Sequence, residues 1–158
     1  MVERIELIEI FYGDGTLLNA KTAEDVQKNA KIGKQRKNIL ACGESWWLRS
    51  PGKGTKDRTM FIDADGNIVD AGECVDKELG IRPVLIYSPY SDHLNIGDKL
   101  HIFERYWTVV SDTHILCNDI VGYEAFRNDG SSNDYRWSDI RKWLCKWTRE
   151  QWRTKKFV

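Results

Sequence analysis

The chain has 158 residues, 41% of them hydrophobic and 11% aromatic, with seven Trp, six Tyr and five Phe; that suffices for one packed core and excludes a disordered composition. Twenty-four Lys and Arg balance twenty-four Asp and Glu, so the formal net charge is zero, which argues against duplex DNA or an anionic bilayer bound by whole-surface charge. No apolar run approaches the ~20 residues that span a bilayer, and MVERIELIEI carries acids where a secretory leader needs bases. A single domain over 1–158 is expected, cytoplasmic, or virion-associated if it leaves the cell by lysis.

Residues 4–12 (RIELIEIFY) mix β-branched and aromatic side chains and stop at Gly13-Asp14-Gly15, a strand running into a turn. Thr22 reads as an N-cap for a helix over 22–31, with Glu24 and Asp25 in its first turn and Gly33 beyond its end. A basic loop with Lys31, Lys34, Arg36 and Lys37 follows. Residues 58–64 and 67–71 form strands around Asp65-Gly66, a dipeptide suited to a type I′ turn with positive φ at both central positions. The tract from Asp63 to Asn67 imitates a calcium loop, yet its twelfth position is Cys74 where a bidentate Glu is needed, so the turn reading wins.

Residues 80–87 (GIRPVLIY) read as one buried strand with Pro83 near its start, and 88–95 (SPYSDHLN) as a turn-rich joint. Residues 99–110 pair with 114–116, and 128–134 (NDGSSND) is a polar loop. Ser138 then caps the clearest helix: Ile140, Trp143, Leu144 and Trp147 fall at i, i+3, i+4 and i+7, an apolar stripe opposite Arg141, Lys142, Lys146 and Arg149.

Charge is uneven along the chain. Residues 57–78 hold seven acids and two bases, whereas 136–156 hold eight bases and two acids. Solvated faces and intramolecular complementarity explain most such runs; head-to-tail pairing between subunits, and hence a homo-oligomer, is compatible with them. Cys42, Cys74, Cys117 and Cys145 lie far apart without a CxxC or His pair, so no zinc template fits and small buried hydrophobes are the better reading. No metal and no cofactor are expected.

Two pieces of the chain resemble one family. Trp46-Trp47-Leu48-Arg49-Ser50-Pro51-Gly52, a hairpin, and then Gly80-Ile81-Arg82-Pro83 are similar to the WWLRSPG and GVRP half of a Trp-rich domain of unknown function common in gut bacteria and their phages. Ile96-Gly97-Asp98, Trp107-Thr108-Val109-Val110 and Trp137-Ser138-Asp139-Ile140-Arg141-Lys142-Trp143-Leu144 resemble its other half, which precedes the first in the family, so the chain looks circularly permuted about 88–95. Cys145 stands where the family has Asn. The resemblance implies an α+β, C-type-lectin-like fold shared with formylglycine-generating enzymes and phage receptor-binding proteins: a twisted antiparallel sheet, two helices and long loops.

That likeness favours a non-catalytic binding module of phage or prophage type. It would recognise a protein or glycan through the segment after WWLRSPG, which offers Lys53, Lys56, Asp57, Arg58, Asp70, Glu73 and Asp76. A small cytosolic inhibitor of a host factor fits the same frame. Trp46, Trp47, Arg49, Arg82, Trp137, Arg141 and Trp143 are assigned as structural anchors; in an extended strand Trp46 and Trp47 point to opposite faces, so at most one of them faces a ligand and the other is core. Two alternatives stand beside this reading. One is an enzyme with a formylglycine-generating-like fold, for which Cys42 and His101 are the only nominees. The other is a single-stranded nucleic-acid binder using Trp137, Trp143, Trp147 and Trp152 among the basic residues of the C-terminal helix, which the zero net charge and the inward apolar stripe disfavour.

Overall fold

A computed structural model describes residues 2–7, 38–89, 95, 97–110 and 114–155. The expected helix over 22–31, all but the last residue of the basic loop, the end of the first strand and the middle of the 88–95 joint lie outside them. The described residues form a sheet-rich α+β fold. One five-stranded sheet runs β1 (Val2–Leu7), β6 (Val84–Pro89), β9 (His114–Cys117), β8 (Arg105–Val109), β7 (Lys99–Ile102), every pair antiparallel. The other runs β10 (Gly122–Ala125), β5 (Glu78–Ile81), β2 (Trp46–Pro51), β3 (Arg58–Ile62), β4 (Ile68–Cys74). Its one parallel contact joins β2 and β5 at Trp46 and Gly80.

The single strand expected over 80–87 is two. β5 ends at Ile81 in one sheet and β6 begins at Val84 in the other. Pro83 has no N–H to extend a ladder, and Arg82 turns its side chain into the core, 2% exposed. Its Nε donates to Cys117 O at 2.8 Å, NH1 to Leu40 O at 2.9 Å and NH2 to Ile39 O at 3.1 Å, while the guanidinium carbon lies 4.8 Å from the centre of the Trp46 ring. Burial pulls its pKa down, and the Cys42 and Cys117 thiols and Asp119 act in the opposite sense. Fixed fork geometry lets one guanidinium serve three carbonyls at once.

Two turns also depart from expectation. Between β3 and β4 the type I′ turn is replaced by a three-residue loop: Gly66 N donates to Asp63 O, Asp63 N donates to Asn67 O, and of Asp65 and Gly66 only Gly66 has positive φ, +90°. The Asp63 carboxylate decides this, because it accepts the N–H groups of Asp65 and Asn67 at 3.0 and 2.9 Å, and these bonds hold its pKa below the usual carboxylate range. The stretch expected as one strand over 99–110 breaks into β7 and β8 at Phe103 and Glu104, with φ 53° and 60°. Neither residue favours that region, so no turn signal marks it. Trp107 Nε1, donating to Ile102 O at 2.9 Å, holds it from the strand side.

The helix α1 (Asp139–Lys155) joins the two cores. Ser138 Oγ accepts from Arg141 N at 3.1 Å, the expected N-cap. Ile140 and Leu144 pack with Trp46, Trp47 and Ile81, whereas Trp147 packs beside Trp107 with Leu85 and Ile115. Trp143 is half-buried over Gly122, where any added Cβ would strike its ring. None of the four cysteines forms a disulfide; Cys117 is buried and its thiol is pushed up to about 11 by that burial, and the other three are half-buried.

Replacing Arg82 with Met should lower the unfolding free energy by on the order of 3 kcal/mol, because the carbonyls of Ile39 and Cys117 lose the guanidinium donor and that of Leu40 keeps only the Trp46 indole; urea denaturation measures it, and Arg82→Lys should recover only part. Glu104→Gly should raise stability by about 1 kcal/mol by relieving the left-handed backbone, seen as a higher thermal midpoint.

Candidate functional site

The residues expected to contact a ligand fall on one end of the second sheet. Lys53, Lys56 and Asp57 lie in the loop between β2 and β3, Arg58 opens β3, Asp70 and Glu73 are on β4, and Asp76 sits in the turn before β5. Backbone bonds tie these pieces together: Gly52 N to Arg58 O at 2.7 Å, Lys53 N to Asp70 O at 3.1 Å and Val75 N to Asp57 O at 2.9 Å. Four of the seven are partly engaged in that framework. Arg58 NH1 donates to Gly72 O at 3.1 Å, Glu73 Oε1 accepts its neighbour Cys74 N at 2.9 Å, and Asp70 bridges Lys53 at 3.2 Å. Lys56, Asp57 and Asp76 are exposed, and their side chains have no partner among the described residues.

A third segment, which includes the polar loop expected over 128–134, joins this face. Arg127 N donates to Val75 O at 2.8 Å, and Asn133 Nδ2 donates to both Thr55 O and Arg58 O at 2.9 Å. Residues 126–138 therefore lie against the β2–β3 loop and the turn before β5. Within the segment Asp129 accepts Ser131 N and Oγ and pairs with Arg127, which lowers its pKa to about 2. Asp134 accepts Arg136 N and pairs with the Arg136 guanidinium, which lowers Asp134 and raises Arg136. Asp-x-Ser and Asp-x-Arg are spacings that favour local turns, whereas a contact between Asn133 and Thr55, 78 residues apart, has no local signal.

The motif SWWLRSPG supports this segment from below. Trp47 and Arg49 are two apart on β2 and share a face. The Trp47 ring meets Phe126 edge-on at 5.6 Å, Phe126 meets Tyr135 at 6.4 Å, and the Arg49 guanidinium carbon lies 5.0 Å from the Tyr135 ring centre. Trp47 Nε1 donates to Glu124 O at 2.9 Å. On the opposite face Trp46 Nε1 donates to Leu40 O at 3.0 Å. Both indoles are fully buried, so neither faces a ligand: β2 is central, and both sides of the sheet are covered there.

The remaining anchors divide. Arg141 is exposed on α1. Trp137, expected among the anchors, is 64% exposed, because the short 3-10 turn Tyr135–Trp137 directs Tyr135 inward and leaves the next ring but one outside. In the basic helix Trp143 and Trp147 stack on each other, 6.5 Å apart and 11° from parallel, and serve the core rather than a base-stacking surface; the Trp152 side chain lies outside the described residues. Of the catalytic nominees, Cys42 Sγ donates to Glu44 O at 3.5 Å, and the exposed His101 ring lies 4.8 Å from Tyr106. Among the described residues no group of three or more His, Cys, Asp or Glu could hold a metal ion, and no helix is long and apolar enough to cross a membrane.

A family model for a domain of unknown function, DUF6273, matches residues 7–89, more than half of the chain. The chain belongs to this family. The matched region contains β2 to β6, and so the whole WWLRSPG run, the hairpin after it and the Arg82 crossover. Segment 126–138 and α1 lie beyond it. No curated protein and no solved structure matches the chain.

The Asp129 carboxyl should titrate near pH 2 in a carbon-detected NMR titration, well below its ordinary 3.8. Its folded pKa is depressed, so its contribution is complete above about 3.8 and fades as pH falls toward 2. Ser131→Ala should move that midpoint upward, since the Ser131 hydroxyl is the largest cause of the shift.

Proposed function

We propose that this protein is a non-catalytic binding module that recognises a protein or a glycan through the face made by the β2–β3 loop, β4 and the turn before β5. The observation that carries the reading is that this face has a hydrogen-bonded backbone and open charged side chains at once. Its backbone is held by the N–H groups of Gly52, Lys53 and Val75 and by the two hydrogen bonds that Asn133 Nδ2 donates, while Lys56, Asp57 and Asp76 remain exposed and unpaired among the described residues. Groups held in place before a partner arrives lose little freedom on binding. Charges of both signs within a few residues favour specific recognition over nonspecific attraction to a polyanion.

The finer reading is a C-type-lectin-like module of phage or prophage type, circularly permuted, acting on a particle or as a cytosolic inhibitor of a host factor. Its support is the family likeness together with the end of the family match at residue 89, within the 88–95 joint.

Tagged full-length protein should retain a specific component of a host lysate at physiological salt. The variant Lys53→Glu, Lys56→Glu, Asp76→Lys should weaken that retention by about tenfold or more, and Lys146→Glu on the exposed side of α1 should leave it unchanged. Undiminished retention by the triple variant, or no retention by wild type, overturns the proposal.

A further inference from the structure

Five Trp of this chain have described side chains outside segment 127–137, and all are drawn into the interior: Trp46, Trp47 and Trp107 are fully buried, Trp147 is 7% exposed and Trp143 is half-buried against the core. Trp137 breaks the pattern. Its ring stands in solvent at the rim of the face described above, yet the chain around it is closely held. Trp137 N donates to Asp134 O at 3.2 Å, and Trp137 O accepts Arg127 NH1 at 3.2 Å. Phe126 O accepts Asp139 N at 2.9 Å and Asp139 Oδ2 accepts Asn128 N at 2.7 Å, so the base of the segment is closed. Two residues before it, Tyr135 is buried beneath Arg49. An exposed indole on a pinned backbone incurs the hydration penalty of a large apolar surface without the flexibility that would let it fold away.

The charges beside it narrow what could cover that ring. Segment 127–137 carries two Arg and two Asp, and each Arg is bridged to an Asp of the same segment, Arg127 to Asp129 at 3.0 Å and Arg136 to Asp134 at 2.8 Å. The surroundings are polar but neutral, so neither a phosphate nor a carboxylate ligand is selected. Tyr106 and Tyr123 are the other large exposed hydrophobics among the described residues, and both lie on strands, β8 and β10. A lone indole lacks the apolar core of an interface of about 800 Å2 per partner. It matches one six-membered sugar ring, whose C–H face stacks on the electron-rich indole while its hydroxyls use the lone pairs and N–H groups left over on Asp134 and Arg136.

We propose that Trp137 is the stacking platform of a binding site for an uncharged saccharide, with the Asp134–Arg136 pair as its polar flank. The proposal rests on the binding-module reading and deepens it, since it names the ligand class for the rim of the same face.

Titration of the full chain with cellohexaose, maltohexaose, mannohexaose and chitohexaose, followed by the fluorescence of its indoles and by calorimetry, tests it. At least one sugar should bind with a dissociation constant below about 10 mM. Trp137→Ala should weaken that binding by about tenfold or more, Trp137→Phe should retain part of it, and both should keep the wild-type circular dichroism because the ring is exposed. Equal binding by Trp137→Ala, or no binding of any of the four sugars by wild type, overturns the platform. If that happens while a lysate component is still lost on Lys53→Glu, Lys56→Glu, Asp76→Lys, the saccharide site falls and the binding-module reading stands. A protein retained from lysate by wild type and lost on Trp137→Ala assigns the ring to a protein partner and likewise overturns the saccharide class.

Discussion

The structure turns on one guanidinium. At Arg82 the chain leaves the β2-containing sheet and enters the β6-containing one, and the same side chain binds Ile39, Leu40 and Cys117. These are the approach to β2, in the first sheet, and the end of β9, in the second. Burying an unpaired cation in a low-dielectric interior is prohibitive, so Arg82 is tolerable only where three carbonyls converge on it and an indole lies on its face. That requirement fixes the relative placement of segments about 35 to 43 residues apart. Hydrophobic burial of Trp46, Trp47 and Trp107 supplies far more free energy than these bonds, since each ring removes on the order of 200 Å2 from water. Burial of rings, however, is satisfied by many packings. The three directional bonds select one.

The two halves of the chain are interlocked as a consequence. β6, from the half that contains WWLRSPG, pairs with β9 inside the sheet built by the second half, and β10, from the second half, pairs with β5 at the edge of the first. Segment 126–138 follows β10 directly. Once β10 is paired with β5, that segment is delivered to the end of the sheet where the β2–β3 loop and the turn before β5 emerge, and Asn133 fastens it there. The candidate face is thus assembled from both halves, although only one of them is spanned by the family match.

Local features were legible in the sequence and long-range ones were not. The helix from Ser138 followed from its 3.6-residue stripe, because Ile140, Leu144 and Trp147 carry their own periodicity wherever the helix docks. The hairpin at Asp65-Gly66 was legible as a hairpin, but its loop type was set by the Asp63 carboxylate, a side-chain preference that competes with the dipeptide rule. Strand breaks at Arg82-Pro83 and at Phe103-Glu104 were hidden for different reasons. The first separates two apolar runs that belong to different sheets, which hydrophobicity alone cannot distinguish. The second is imposed by tertiary contacts on residues without turn propensity. The burial of both Trp46 and Trp47 depended on β2 being central, a property of sheet order and not of the strand.

The run SWWLRSPG links these levels. Alternation on β2 gives Trp46 to the Arg82 side of the sheet and Trp47 and Arg49 to the other. The first face secures the crossover between sheets. The second, through Phe126 and Tyr135, braces the segment that carries Trp137. A loop whose ring is to stay exposed needs support from beneath, because otherwise the cheapest response to an exposed indole is to collapse it onto the surface. Tyr135, held between Phe126 and Arg49, blocks that collapse by filling the space under the 3-10 turn. The aromatic density noticed first in the sequence is therefore divided between an interior that fixes the sheets and a bracket that keeps one further ring outside.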